Sequence, residues 1–444
     1  MQSTNPMRAK EREWAFAVRN DAAMLASIEH CVDGPYHIIN PDEFGRNLKA
    51  FQDVLVGAGV SGHVYFGKKA NKAGAWLRQV STMNGSVDVA SAPELVHALA
   101  NGVPGNRIGV TGAAKTGDLL WLASRHGSVV AIDALDELER AISIAKQSRS
   151  ALRILLRVLP SSHPDSRFGL NRDDLQQALS RCVSARDHII MDGFSFHLDG
   201  YTVAPRAELA SALVHKCQQA REAGLRASTV CIGGGFACSY VEEEDWRKFV
   251  EQLRPSQFHA QKTFGHFYPY YQNPTGAAML DAILQTTVAD TTLATKLRVA
   301  KIDLHLEPGR ALVDGTGMTV FPVLGFKRNS DHGIVTVAGV SMSLAEQWRN
   351  SEFLPTPILI QRGPPRRQEP IHAAIGGSSC MENDMLTWRK IKFPATPRYG
   401  DVVVYPNTAG YQMDKSESEF HQIPLPPKIV VAAETKGFVW KIDK

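Results

Sequence analysis

The sequence contains no apolar run approaching the ~20 residues that a membrane-spanning helix needs. Cysteine is scarce: six thiols (Cys31, Cys182, Cys217, Cys231, Cys238 and Cys380) in 444 residues, with neither disulfide-framework nor zinc spacing. A disulfide scaffold is thereby excluded, and no metal is expected. No charge dominates either. Lys and Arg number 49 against 45 Asp and Glu, interspersed, so nothing calls for nucleic acid or a membrane surface as partner. The opening MQSTNPMRAKEREWAF lacks the apolar core of a signal peptide, so a reducing, cytoplasmic protein is expected. Also missing are an internal repeat and a glycine fingerprint after the first barrel-type strand.

What is present is a regular alternation. A helix is expected over Glu11–Glu29, a strand at Tyr36–Ile39, and a helix over Pro41–Leu55. Eight short, apolar strands then alternate with amphipathic helices: His63–Gly67, Val87–Ala90, Arg107–Thr111, Val129–Asp133, Leu152–Val158, Phe194–Leu198, Thr229–Ile232 and Lys301–Leu306. Eight such units in ~250 residues fit an α/β fold, a (β/α)8 TIM-type barrel, better than a doubly wound open sheet. Beyond Arg310 helical periodicity fades. Strand-like runs recur at Met318–Phe326, Ile334–Val340, Pro357–Gln361, Ile371–Ile375, Asp401–Tyr405 and Lys428–Ala433, punctuated by proline and glycine. The expected organisation is an N-terminal helix and strand (1–40) joining the second domain, a barrel (41–310), and a C-terminal antiparallel β domain (311–444). The basic run from Arg362 to Arg367 reads as a solvated loop.

Barrel active sites lie at the C-terminal ends of the strands. Those ends deliver Lys69, Ser91 and Glu94, Arg157, His197, the turn Gly233-Gly234-Gly235, and Glu307-Pro308-Gly309-Arg310. Each group alone has an ordinary structural reading: a rim charge, a core histidine, a turn, an ion pair. Their convergence on one rim is what one cofactor would use. An amine at a strand end can carry a Schiff base. Side-chain-free N–H groups at Gly233–Gly235, with the backbone near Gly309 and Arg310, can cradle a phosphate ester. His197 can cover one face of a pyridine ring, and Glu307 can keep the ring nitrogen protonated. The cofactor implied is pyridoxal 5'-phosphate.

These residues closely resemble the fold type III pyridoxal phosphate-dependent decarboxylases (ornithine, arginine and diaminopimelate decarboxylases, with alanine racemase a more distant relative). Lys69-Ala70-Asn71 is similar to that family's K-A-N, which implies that Lys69 holds the cofactor. Asp88-Val89-Ala90-Ser91-Ala92-Pro93-Glu94-Leu95 resembles its D-x-x-S-x-x-E-L, and Ser166-Arg167-Phe168-Gly169 its S-[KR]-F-G. The resemblance implies cofactor contacts from Asp88, Arg157, His197, Gly233, Gly234, Gly235, Glu307, Gly309, Arg310 and Tyr411. Cys380-Met381-Glu382-Asn383-Asp384 resembles the family's C-[DE]-x-x-D, whose cysteine donates a proton across a dimer interface. A homodimer with shared active sites is therefore implied, with Cys380 catalytic beside Lys69, His197 and Glu307.

Three departures bear on substrate. Met381 stands where the family has an acidic residue that reads a substrate amine, with Glu382 one position later and Asp384 closing the motif. Asp199-Gly200 replaces a serine expected after the stacking histidine. A long segment, Phe236–Thr275, carries an aromatic cluster that either shapes the pocket or packs against the second domain or a partner subunit. The implied reaction is decarboxylation of an amino acid or amino-acid-derived intermediate, with Cys380 returning the proton. The departures favour an apolar or aromatic amino acid, or a conjugated intermediate of siderophore or other specialised metabolism. A racemase or epimerase is the first alternative and a non-catalytic regulatory homologue the second. Lys69, His197, Glu307 and Cys380 all being present weighs against the second.

Overall fold

Eight parallel strands close on themselves. In the computed structural model, which describes residues 6–329, 331–344, 350–364, 366, 368–435 and 437–443, a first strand β1 (Tyr36–Ile39) precedes the barrel strands. Those are β2 (Gly62–Gly67), β3 (Ser86–Val89), β4 (Ile108–Val110), β5 (Val129–Ile132), β6 (Leu152–Arg157), β7 (Ile189–Ser195) and β8 (Thr229–Cys231). A two-residue hairpin, β9 (Thr287–Val288) and β10 (Thr291–Thr292), interrupts the pattern before the last barrel strand, β11 (Asp303–Leu306). The barrel order is β11-β2-β3-β4-β5-β6-β7-β8, with Leu304 opposite Gly62 at the seam. A Cβ on Gly62 would lie 1.8 Å from the Leu304 carbonyl oxygen, so only glycine permits closure there.

All eight expected barrel strands are present. The sixth differs most: Phe194–Leu198 was expected, but β7 runs from Ile189 to Ser195, leaving His197 beyond its end. Asp192 disguises that strand by interrupting its apolar run. Its buried carboxylate accepts from Arg153 at 2.7 Å and faces Arg226 at 3.4 Å. The expected single N-terminal helix is two, Glu13–Asn20 and Ala22–Cys31. Asp21 breaks it by capping the second helix, its side chain accepting the Met24 N–H.

The second sheet is formed by β1 with β12 (Gly317–Arg328), β13 (Gly333–Val337), β14 (Ile358–Ile360), β15 (Ile371–Gly376), β16 (Met385–Phe393), β17 (Val402–Pro406), β18 (Lys428–Glu434) and β19 (Gly437–Ile442). It is mainly antiparallel but mixed, because β1–β18 and β13–β15 pair in parallel. Two of its strands, β16 and β19, were not expected. Charges at Arg389, Lys390 and Lys392 mask the first. Arg362 and Arg366, read as solvated, instead donate to Glu29 (2.8 Å) and Asp401 (2.7 Å) within the fold. Pro365 and Arg367 lie outside the described residues. The N-terminal helices pack Trp14, Leu25 and Ile28 on one face of this sheet, while a larger core joins its other face to the barrel.

The aromatic segment serves that junction. Tyr270 is buried, its ring 5.9 Å from Phe353 and its hydroxyl donating to the Glu352 carbonyl at 2.9 Å. Among the described residues lining the barrel-mouth cavity, none comes from 236–275.

Candidate active site

β2 ends in a 3-10 turn, Lys68–Ala70, that turns two lysines in different directions. Lys68 is buried, 3.9 Å from the Glu94 carboxylate. Glu94 is itself fixed: the helix begins at the Ser91 cap, which accepts the Glu94 N–H, and the Glu94 carboxylate reaches back to the Ala90 N–H at 2.8 Å. Lys69 instead projects into a cavity of 960 Å³ at the barrel mouth, shared with Asp88, Arg157, His197 and Glu307. Burial pulls its ammonium down, but the charges of Tyr411, Asp88 and Glu307 outweigh this and raise it above the ordinary lysine value. Asp88 accepts from the Thr111 hydroxyl at 2.7 Å. Burial first, and then Glu307, push its carboxyl well above the usual range.

His197 stands beyond the end of β7 and its Nδ1 accepts the Gly234 N–H at 3.3 Å. Burial, reinforced by Lys69, Arg157 and Arg206, lowers its pKa to about 4, so the ring is neutral near pH 7. The triple glycine passes so close that side chains are excluded. A Cβ on Gly233 would lie 2.7 Å from His197 Nδ1, and one on Gly235 would lie 2.2 Å from Arg206 Nη2. Arg206, fully buried, donates to the carbonyls of Leu198 (2.9 Å), Gly200 (2.7 Å) and Thr202 (2.8 Å). It therefore fixes the Asp199-Gly200 loop that follows His197.

Glu307 follows β11. Its N–H donates to the Gly233 carbonyl at 2.9 Å, and its Oε1 accepts from the buried Cys231 thiol at 3.1 Å. Arg310 lies one turn on. Its guanidinium stacks 4.2 Å from the Tyr268 ring and 4.8 Å from Tyr411, and donates to the Tyr240 hydroxyl at 3.0 Å. Tyr411 adopts a left-handed φ of 77° and its N–H donates to the Ala70 carbonyl at 2.8 Å. Its hydroxyl would stand 3.1 Å from a Cβ on Gly309, so glycine there makes room for the tyrosine. Phe168, which also lines the cavity, has its ring 4.3 Å from the Arg157 guanidinium and 4.2 Å from that of Arg167. Gly169 donates its N–H to Asp133 at 3.0 Å.

The 380–384 segment stands apart from this cavity: among the described residues that line it, none comes from there. Cys380, Met381 and Glu382 are exposed. Asp384 is buried and accepts the N–H groups of Ser341 (2.6 Å) and Ser379 (3.2 Å), so its carboxylate braces the loop that presents Cys380.

Arg206 and Cys231 escaped the sequence reading as site residues. Arg206 had one usable signal: in the helix Ala204–Glu222 it shares the buried stripe of Ala210, Leu213 and Cys217, where a charge must find partners. Cys231 faces the barrel interior two positions before the triple glycine, a placement visible only once the strand register is known.

The donor set suits pyridoxal phosphate: an amine in the cavity, a carboxylate at a strand end, a neutral imidazole, and a glycine turn too tight for any Cβ. A family model described as pyridoxal-dependent decarboxylase, pyridoxal binding domain, matches residues 42–314. The uncharacterized protein y4yA of Sinorhizobium fredii is 32% identical over 406 residues, covering 91% of this chain and 89% of that one. Diaminopimelate decarboxylase of Bacillus subtilis is 23% identical over 446 residues, covering 92% and 91%. The crystal structure of diaminopimelate decarboxylase from M. jannaschii has the same fold, with a TM-score of 0.74 at 19% identity over 94% of this chain and 92% of that one.

Proposed function

The chain belongs to the pyridoxal-dependent decarboxylases, amino-acid decarboxylases that use pyridoxal phosphate, and from that premise we propose roles for its own residues and a class of substrate. The observation that carries the proposal is the meeting of Lys69, Asp88, His197 and Glu307 at one barrel-mouth cavity. The cofactor, when bound, supplies an electron sink that stabilises charge at the substrate Cα after CO2 leaves. Lys69 is the amine that would hold the cofactor. Gly233–Gly235, Gly309, Arg310 and Tyr411 bind its phosphate. His197, neutral and pinned through Nδ1, would pack against the cofactor ring. Glu307 would pair with the ring nitrogen, and Cys231 donates to its carboxylate. Asp88 and Arg157 complete the contacts around the ring. Cys380 delivers a proton to Cα from the partner subunit of a homodimer, a reading supported by the absence of its segment from the described residues that line the cavity of its own chain.

Met381 is exposed at the position next to Cys380, and a methionine cannot pair with a distal ammonium. The proposed substrate is therefore an amino acid with an apolar or aromatic side chain, or a conjugated intermediate of specialised metabolism. Glu382 is the remaining acidic group near that position, and Asp384 acts through the loop. Among the described residues no helix is long and apolar enough to cross a membrane. With six free thiols, a cytoplasmic setting fits this reading, as does a division of the chain into 1–40, 41–310 and 311–444. The test is CO2 release across a panel of amino acids, with deuterium incorporation at Cα followed in parallel. CO2 release abolished by Lys69→Ala is expected. Exchange at Cα without CO2 from any substrate would indicate racemase chemistry and overturn the proposal.

A further inference from the structure

The turn between β15 and β16 presents Cys380 to a residue no motif singled out. Cys380 Sγ lies 3.2 Å from Nε2 of His421, forty-one positions away and on the loop that precedes β18. Both partners are held. On one side Asp384 ties the turn to Ser341 and Ser379, and the Ser378 hydroxyl donates to the Gly339 carbonyl at 3.0 Å. On the other, His421 and Gln422 both occupy the left-handed region, at φ 60° and 59°. Neither is glycine, and two such residues in succession cost free energy that surrounding structure must offset. The Phe420 ring packs against the imidazole, with centroids 4.2 Å apart. Backbone strain and an aromatic neighbour together aim one imidazole nitrogen at one thiol, and the exposed ring leaves its other edge to water.

We propose that His421 is the proton-relay partner of Cys380, a positioning residue that restores the thiol after each turnover. This rests on the reading of Cys380 as the donor to Cα. When Cys380 gives up its proton, the S–H bond breaks as the Cα–H bond forms, leaving a thiolate. His421, as imidazolium, passes its Nε2 proton to that sulfur and regains one from solvent. The net proton consumed is the one decarboxylation requires. Imidazole suits the task because it exchanges protons with water near neutrality.

Thiol alkylation tests this without a substrate, because only two of the six cysteines, Cys31 and Cys380, are exposed. Cys31 is thus an internal reference. The holoenzyme is treated with iodoacetamide between pH 5.5 and 8.5 and both peptides are quantified by mass spectrometry. In the wild type, Cys380 is expected to react about tenfold faster than Cys31 at pH 6. His421→Gln should bring Cys380 to the Cys31 profile, and His421→Gly with added imidazole should restore the difference. Equal profiles in the wild type, or an unchanged profile in His421→Gln, overturn the proposal. So does a Cys380 that never reacts, since the relay needs water at the pair. Failure of the donor reading is separate: it appears as Cys380→Ala releasing CO2 and placing the Cα proton as the wild type does.

Discussion

Gly235→Ala adds one methyl group at a place where the structure has no room. The new Cβ would stand 2.2 Å from Arg206 Nη2 and 3.1 Å from the Gly200 carbonyl oxygen, at a backbone φ of +81°. The left-handed conformation costs an alanine about 1–2 kcal/mol. Arg206 cannot swing aside freely, because the same Nη2 donates to both Leu198 and Gly200. Moving it loses at least one charge-assisted bond, about 1.5–3 kcal/mol. The expected total is about 3–5 kcal/mol, which for a chain of this length is a fall in Tm of about 3–5 °C in thermal unfolding. Cofactor affinity, read from absorbance on titration, should also drop, because the Leu198–Thr202 loop behind His197 moves with Arg206. A double-mutant cycle with Arg206→Met isolates the cause. With the guanidinium gone, Gly235→Ala should cost only the backbone share, about 1–2 kcal/mol. Additive costs, or a Gly235→Ala protein with wild-type Tm and cofactor affinity, would refute the reasoning.

Three further expectations concern the lysine, the seam and the barrel floor. Lys69→Ala should leave no borohydride-trapped cofactor in the intact-mass spectrum, while Lys68→Ala should retain it; trapping at Lys68 in the wild type would reverse the assignment. Gly62→Ala places its Cβ 1.8 Å from the Leu304 carbonyl oxygen, so the barrel cannot close at that register; soluble expression and circular dichroism should both report loss of the native fold. His305 is buried beside His63 and Tyr65, and burial lowers its pKa from 6.5 to about 3. A folded value below the unfolded one means stability present above pH 6.5 is lost as pH falls toward 3, amounting to about 2 kcal/mol by pH 5. Urea midpoints at pH 7 and pH 5 should therefore differ less in His305→Gln than in the wild type.

The sequence revealed most where local pattern and packing agree. Buried parallel strands are short apolar runs between amphipathic helices, so the barrel was readable, as was Lys69 at the end of its first strand. Legibility failed where charge is buried and paired. Asp192 broke the pattern of β7 because its partners, Arg153 and Arg226, come from elsewhere in the chain. Arg389 did the same to β16: it is buried, and donates to the Leu354 carbonyl at 2.6 Å. Arg206 looks like an ordinary helical arginine until the carbonyls it holds are in view. Cys380 was legible as a motif, but its contact with His421 depends on loop conformations that no period in the sequence encodes.

The same distinction applies to the charges around Lys69. From sequence, Glu307 is the partner expected for a ring nitrogen and Asp88 a further cofactor contact. Two buried carboxylates this close disfavour each other's charge, and Asp88, pushed well up first by burial and then by Glu307, is the one displaced toward its neutral form. Cys231 responds in the same way: burial and then Glu307 drive its thiol well up, so it remains a donor to the carboxylate it touches. Burial thus favours the protonated form of both neighbours of Glu307. A carboxylate that receives a thiol's hydrogen bond on one side can pair with a cationic ring nitrogen on the other without competition from Asp88. The burial of Asp88 and Cys231 thus supports the pairing proposed for Glu307 with the ring nitrogen.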